Sequence, residues 1–202
     1  MRPTHPMAPL VCLASVSPRR RELLAQIGVP HAVTGAHIDE TVLPGEPPRD
    51  YVARIARQKA LAVRGRGETL PVLAADTTVV LDDLIYGKPR DRAEGIAMLG
   101  RLSGRTHEVF TAVALADERG VALRLSASAV RFRKISLEEG AAYWDSGEPR
   151  DKAGGYAIQG YGAVFVESLT GSYSGVMGLP LVETAELLRA AGVPYWAGSA
   201  RA

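Results

Sequence analysis

The sequence predicts a mixed α/β fold: a twisted β-sheet flanked by helices, with two lobes around a cleft. Short apolar, β-branched runs alternate with segments of helical periodicity along the whole chain, the pattern of an α/β unit. Several of those runs are joined by turns too short to hold a crossover helix, so these neighbours must be antiparallel and the sheet mixed. No linker-like stretch interrupts the 202 residues, and residues 1–202 read as a single domain.

Leu10 to Ala14 reads as a first buried strand. Ser17 stands where a helix cap is expected, with Pro18 at the favoured first position. Leu23, Leu24 and Ile27 supply that helix's apolar face and Gly28 ends it. A second strand is expected around His31 to Ile38, followed by the turn-rich "DETVLPGEPP" and a helix from about Pro48 to Val63. "PVLAADTTVVLDDLIYGKP" is apolar and β-branched around a hairpin tip at Asp82 and Asp83. Asp91 and Glu94 have the spacing of a capping box, placing a helix over Arg92 to Leu102 that stops near Gly104. Two long strands then meet at a turn over Asp117 to Gly120. Ser136 and Glu139 form a second capping box, for a helix whose apolar face carries Leu137, Ala141 and Trp144. A glycine-rich loop leads into the strand "AVFVESL", and an amphipathic helix from Leu181 to Ala191 ends before Gly192. Trp196 to Ala202 reads as a loose tail.

Composition excludes several function classes. The formal net charge is +2 and aromatic residues make up 6% of the chain, too little of either for a nucleic-acid surface. The single cysteine, Cys12, rules out an internal disulfide and a cysteine-rich metal site; in its apolar run it reads as a small buried hydrophobe. No window approaches the ~18 consecutive apolar residues of a membrane span. The N-terminal "MRPTHPMAPLVCLAS" lacks the apolar length of a secretory signal, so a cytoplasmic protein with no membrane partner is expected.

The first chemical signal is "LASVSPRRRELL". A strand, a Ser/Pro turn and a helix start aim backbone N–H groups at whatever lies above the strand end. The first turn of a helix favours acidic side chains; here Arg19, Arg20 and Arg21 add positive charge instead. Together with Ser15 and Ser17 they suit the oxygens of a phosphate. Asp76 is the second signal, the only charged residue in the run Val72 to Leu81. It either caps a turn or faces a cleft, and beside a phosphate site it suits a metal ligand or a general base.

Other candidates surround these two. Glu40 and Asp39 lie in the loop after the second strand. Tyr51, Ile55 and Lys59 recur every four residues, which puts Lys59 on the inward stripe of its helix. Lys88 is held on a turn before Pro89. In "EPRDKAGGYAIQGYGA", Asp151, Lys152 and Gln159 are interleaved with glycines that permit a close backbone approach to a ligand or form turns. His107 reads as structural. Neither G-x-x-x-x-G-K-[ST] nor G-x-G-x-x-G occurs. Cations, carboxylates and glycine loops in this mixture suit hydrolysis or transfer on a phosphorylated ligand, with a divalent ion bridging its oxygens.

"LASVSPRRRELL", "AADTTVVLDDLIYGKPRD", "LSGRTHEVFTAVAL" and "DKAGGYAIQGYGAVFVESLTGSYSGVMGLPLVET" together resemble the Maf family of nucleoside triphosphate pyrophosphatases. The likeness runs from Leu10 to Leu188 in the same order and spacing. It implies a two-lobed α/β fold akin to inosine triphosphate pyrophosphatases, a homodimer, and cleavage between the α and β phosphates to give a monophosphate and pyrophosphate. Asp76 matches the catalytic carboxylate of the family. Ser15, Arg19 and Arg20 match its phosphate-binding motif, and Glu40, Lys59 and Lys88 its other acidic and basic positions. The resemblance further implies a divalent cation, Mg²⁺ or Mn²⁺, held by Asp76 and Glu40.

Members acting on dTTP and UTP carry arginine, threonine and glutamine where this chain has Arg20, Thr77 and Gln159. The 7-methyl-GTP subgroup has glutamate in place of that glutamine. A glutamine amide offers a donor and an acceptor, matching the N3–H and carbonyls of uracil and thymine. The implied activity is therefore hydrolysis of dTTP, UTP and modified pyrimidine nucleotides. The alternatives are a 7-methyl-GTP or purine-type pyrophosphatase, and a non-hydrolysing nucleotide sensor linked to cell division.

Overall fold

A computed structural model of the chain describes residues 7–196. Its centre is a seven-stranded sheet in the order β2-β1-β3-β5-β6-β7, with β4 pairing β3 off that path. The strands are β1 (Val11–Leu13), β2 (His31–Val33), β3 (Val72–Leu81), β4 (Leu84–Tyr86), β5 (Thr106–Asp117), β6 (Gly120–Phe132) and β7 (Val166–Thr170). The helices are α1 (Pro18–Gln26), α2 (Pro48–Arg64), α3 (Arg92–Leu102), α4 (Leu137–Asp145), α5 (Tyr173–Met177) and α6 (Leu181–Ala190). β1 runs parallel to β2 and β3, whereas the pairs β3–β4, β3–β5, β5–β6 and β6–β7 are antiparallel. The sheet is mixed, as the short connections require.

The way β3 is paired makes the cleft. On one side β5 accompanies it from Val72 to Val80 without interruption. On the other side β1 covers Val72 and Leu73, β4 covers Val79 to Leu81, and neither strand pairs with residues 74–78 between them. The sheet is split there, and Asp76 and Thr77 lie in the split. Ligand sites in α/β sheets favour such places, where neighbouring strands part company.

The core divides accordingly. Leu73 and Ala75 of β3 pack with Leu23, Leu24, Leu187 and Leu188 on one face of the sheet. On the other face Val72, Ala74 and Val80 pack beneath Val52, Ala56, Ala60 and Val63 of α2. Further along, Val79 and Leu81 join α3, Tyr143 and Phe132 in a third cluster. Here α3 and α4 approach closely: a Cβ on Gly95 would lie 2.2 Å from the Trp144 ring. Thr77 sits between the first and third clusters, at the seam of the two lobes.

Local signals place most elements within a residue or two. Ser136 and Glu139 form the full reciprocal capping box, and Asp91 accepts from the Glu94 N–H; the Glu94 carboxylate, however, takes the N–H of Arg90. Asp82 and Asp83 both have positive φ (52° and 60°), the left-handed pair that a two-residue hairpin turn requires.

Several expectations are corrected. β2 is three residues long; beyond it the chain leaves the sheet, and Gly35, Ala36 and His37 line the cleft. Residues Tyr161–Phe165 form a 3-10 turn and only from Val166 is the chain a strand. Leu137 opens α4 at 74% exposure; the buried face is Gly140, Tyr143 and Trp144. Ser17 makes no side-chain cap; its own N–H is instead received by Ser15 Oγ at 3.2 Å. Trp196 is tied back by its N–H to Ile27 O at 2.6 Å, and the rest of the expected tail lies outside the described residues. Cys12 is fully buried, and burial pushes its thiol pKa up. Among the described residues no helix is long and apolar enough to cross a membrane.

Candidate active site

The split in the sheet opens into a cleft of about 650 Å³, within the size range of small-molecule sites. Ser15, Arg19, Arg20, Glu40, Lys59, Asp76, Thr77, Lys88 and Gln159, drawn from across the chain, all line it.

Asp76 and Thr77 are consecutive on β3, so they point to opposite faces of the sheet. Asp76 turns toward α2, where Lys59 is one turn beyond Ile55 on the buried stripe. Lys59 Nζ donates to Asp76 Oδ1 at 2.8 Å and reaches Glu40 Oε1 at 3.0 Å. Lys59 and Asp76 are both buried, at 8% and 6% exposure; Glu40 closes the group from the loop after β2, with its side chain half exposed. Burial pushes the Asp76 carboxyl above its ordinary value, with Lys59 and Arg20 pulling the other way and Glu40 adding to the rise. Tyr51 lies alongside and donates its hydroxyl to the Glu40 carbonyl at 3.1 Å. Burial, then the charges of Asp76 and Glu40, push its phenol up to about 12, so it stays neutral. Asp39 does not join; its carboxylate is occupied by the N–H and hydroxyl of Thr41.

Thr77 turns to the opposite face, toward the arginines. Arg20 is fixed at three points: Nε donates to Gly178 O at 2.8 Å, Nη1 to Ser15 Oγ and Nη2 to Thr77 Oγ1, both at 3.3 Å. Arg19 Nε donates to Met177 O at 3.3 Å. The two guanidiniums thus satisfy the carbonyls at the end of α5, where positive charge is favoured. Their own placement at the start of α1 is explained by this long-range grip. Burial lowers the pKa of both, with Asp76 opposing at Arg20 and Asp151 at Arg19; arginines remain charged. Arg21 is exposed on the outer face of α1.

Two features of the site and its surroundings, Thr111 and Glu148, were not expected from the sequence. Thr111 on β5 lies opposite Thr77, with its Oγ1 3.0 Å away and donating to Gly175 O at 2.8 Å. It is a polar residue in an apolar strand, as Asp76 is, and the same signal points to it. Lys152, a candidate from the sequence, joins the cleft already paired with Asp151. Glu148, behind the Gln159 loop, has no signal in its local sequence. Lys88 and Gln159 are exposed at the rim of the cleft.

Three of the glycines of "GGYAIQGYG" give close approach to the protein's own groups, and Gly154 and Gly155 have the positive φ of turns. A Cβ on Gly154 would lie 2.9 Å from Val79, one on Gly160 1.9 Å from the Glu148 carboxylate, and one on Gly162 2.7 Å from the Tyr143 hydroxyl. His107 is structural, buried with Nε2 2.8 Å from the Tyr156 hydroxyl.

The donor set fits a hard divalent cation. Two carboxylates already converge on one positive charge, that of Lys59, and carboxylates completed by substrate phosphates and water are the usual surroundings of Mg²⁺. Among the described residues no group of three or more His, Cys, Asp or Glu is placed to hold a metal unaided.

A buried lysine–carboxylate centre facing paired arginines across a split mixed sheet defines a site for a phosphorylated small molecule. By its sequence the chain belongs to the Maf family: the model of the Maf-like protein matches residues 10–191. The dTTP/UTP pyrophosphatase of Saccharophagus degradans is 54% identical over 188 residues, covering 91% of this chain and 90% of that protein. The dTTP/UTP pyrophosphatase of Methylococcus capsulatus is 55% identical over 186 residues, 90% of each. The corresponding protein of Burkholderia thailandensis is 51% identical over 207 residues, covering 96% and 99%. Among solved structures, the Ham1 protein of Staphylococcus aureus aligns at a TM-score of 0.45 and 13% identity, over 60% of this chain and 71% of that one.

Proposed function

We propose that this chain hydrolyses dTTP and UTP to the nucleoside monophosphate and pyrophosphate. The observation that supports this best is the Lys59–Asp76–Glu40 centre beside Arg19 and Arg20 in one cleft, in a chain more than half identical to proteins named for that activity.

In this reading Asp76 is the catalytic base. Its Oδ1 is held by Lys59, leaving Oδ2 to orient a water and accept its proton. A carboxyl whose pKa is raised by burial is a better acceptor than one in water. The water oxygen bonds to the α-phosphorus, the bond from that phosphorus to the α–β bridging oxygen breaks, and pyrophosphate leaves with the electron pair. Arg19 and Lys88 meet the charge that grows on the leaving group, where fixed cations contribute most. Arg20 and Ser15 bind the phosphates, Lys59 keeps the two carboxylates together, and Thr77 and Gln159 select the base. A divalent cation held by Asp76 and Glu40 supplies charge neutralisation at the phosphate oxygens when bound. The family resemblance further favours a homodimer.

The test is a panel of UTP, dTTP, CTP, GTP and 7-methyl-GTP with product identification. Pyrophosphate and UMP or dTMP are expected, with turnover lost on chelation and restored by Mg²⁺ or Mn²⁺. Asp76→Asn should lower turnover by roughly a thousandfold or more. Preference for 7-methyl-GTP would move the chain to that subgroup; near-normal turnover in Asp76→Asn would remove the base from its role.

A further inference from the structure

The segment that carries Gln159 is held from behind by two side chains. Tyr143, on the buried face of α4, receives the Ala157 N–H on its hydroxyl at 3.0 Å and donates that hydroxyl's proton to Glu148 Oε1 at 2.7 Å. The same Oε1 receives the Gly162 N–H at 3.0 Å, and Oε2 receives the Tyr161 N–H at 2.9 Å. One phenol and one carboxylate thus capture backbone donors on both sides of Gln159. Burial works against ionised Glu148, yet the bonds from Tyr143, Gly162 and Tyr161 hold its carboxyl below the ordinary value. The two glycines flanking Tyr161 are part of the device, since any side chain at Gly160 or Gly162 would collide with Glu148 or Tyr143.

The frame behind this pair is firm. Tyr143 is 6% exposed and packs edge-to-face on Phe165 with ring centroids 5.1 Å apart, while α4 itself is fixed by its capping box. Glu148 follows Gly147, whose φ of 82° turns the chain sharply out of α4. Gln159, by contrast, is exposed and is carried only by the loop so held. A side chain that discriminates bases by hydrogen bonds must be placed to within a few tenths of an ångström, and that placement comes from supporting groups.

We propose that Tyr143 and Glu148 are positioning residues for base selection, acting through the backbone N–H groups of Ala157, Tyr161 and Gly162 to set where Gln159 meets the nucleobase. This rests on the reading that Gln159 contacts the base. Tyr143→Phe removes the hydroxyl alone, leaving the Ala157 N–H without its acceptor and Glu148 without one donor. Glu148→Gln puts an amide N–H₂ against at least one backbone N–H.

The experiment measures kcat and KM for UTP and 7-methyl-GTP in the full chain, with folding checked by circular dichroism and thermal unfolding. Tyr143→Phe and Glu148→Gln should each lower the UTP preference in kcat/KM by about tenfold, carried mainly in KM. In a Gln159→Ala background the same changes should have no further effect on preference, because the group they position is gone. Additive losses, or an unchanged preference in Tyr143→Phe while Gln159→Ala is impaired, would overturn the positioning role. An unchanged preference in Gln159→Ala alone would overturn the base-reading assignment, and the proposal with it. If Tyr143→Phe fails to fold, Glu148→Gln carries the same comparison.

Discussion

Replacing Lys59 by methionine tests whether the centre of the site is held by charge. Methionine keeps the unbranched stem packed against α2 and β3 but removes the ammonium. Asp76, at 6% exposure, would then lose the donor at 2.8 Å that balances its burial. Arg20 is the remaining cation acting on it. Breaking a buried pair by removing one partner costs about 3–5 kcal/mol; with Arg20 remaining and Glu40 half exposed, about 3 kcal/mol is expected. For a chain of this size that lowers Tm by roughly 6–12 °C. The double variant Lys59→Met, Asp76→Asn should recover part of the loss, since the buried carboxylate left without its ammonium is no longer charged. Urea unfolding of the three proteins in chelator at neutral pH reads both effects. A Lys59→Met cost below about 1 kcal/mol would equate the pair with a surface ion pair and refute the reasoning. So would a double variant no more stable than Lys59→Met.

Two further outcomes follow from groups away from the chemistry. Burial lowers the His107 pKa from 6.5 to about 4, so the unfolded chain takes up a proton at a pH where the folded chain does not. The contribution is fully present above pH 6.5 and is lost as pH falls toward 4; at about 1.4 kcal/mol per pH unit it reaches about 3 kcal/mol. The stability difference between the parent and His107→Gln should shrink by that amount across the interval in chemical unfolding, and a constant difference would contradict it. Gly154→Ala should destabilise by about 2–4 kcal/mol, because φ is +68° and the new Cβ meets Val79 at 2.9–3.0 Å. Adding Val79→Ala should relieve the steric part; a Gly154→Ala protein as stable as the parent would show that the backbone yields there.

What the sequence made legible is what neighbours in sequence decide. The capping box at Ser136 and Glu139, the Asp82–Asp83 turn and the inward stripe ending at Lys59 are each settled within a few residues. Asp76 was legible for another reason, as a lone charge in a buried strand. The pairing of Arg19 and Arg20 with Met177 and Gly178 was not, because the partners are 158 residues apart. The close approaches at Gly160 and Gly162 were not legible for the same reason: the groups they admit, Glu148 and Tyr143, lie in earlier elements. The shortness of β2 reflects tertiary demand, since its continuation faces the cleft.

The uninterrupted ladder between β3 and β5 has a mechanical consequence. Both strands run through both lobes, paired from Val72 with Ala116 to Val80 with Glu108, so the lobes share a beam rather than a flexible joint. Closing them as rigid bodies would shear that beam at the residues that carry Asp76 and Thr77. Rigid-body closure ordinarily uses a few loop residues that absorb the rotation, and none interrupts β3 or β5 here. Adjustment to a ligand falls instead to parts mounted on the beam: the exposed Lys88 and the Glu40 loop. Asp76 thus sits inside an uninterrupted ladder, while Lys88 and Glu40 approach the cleft from loops at its edge.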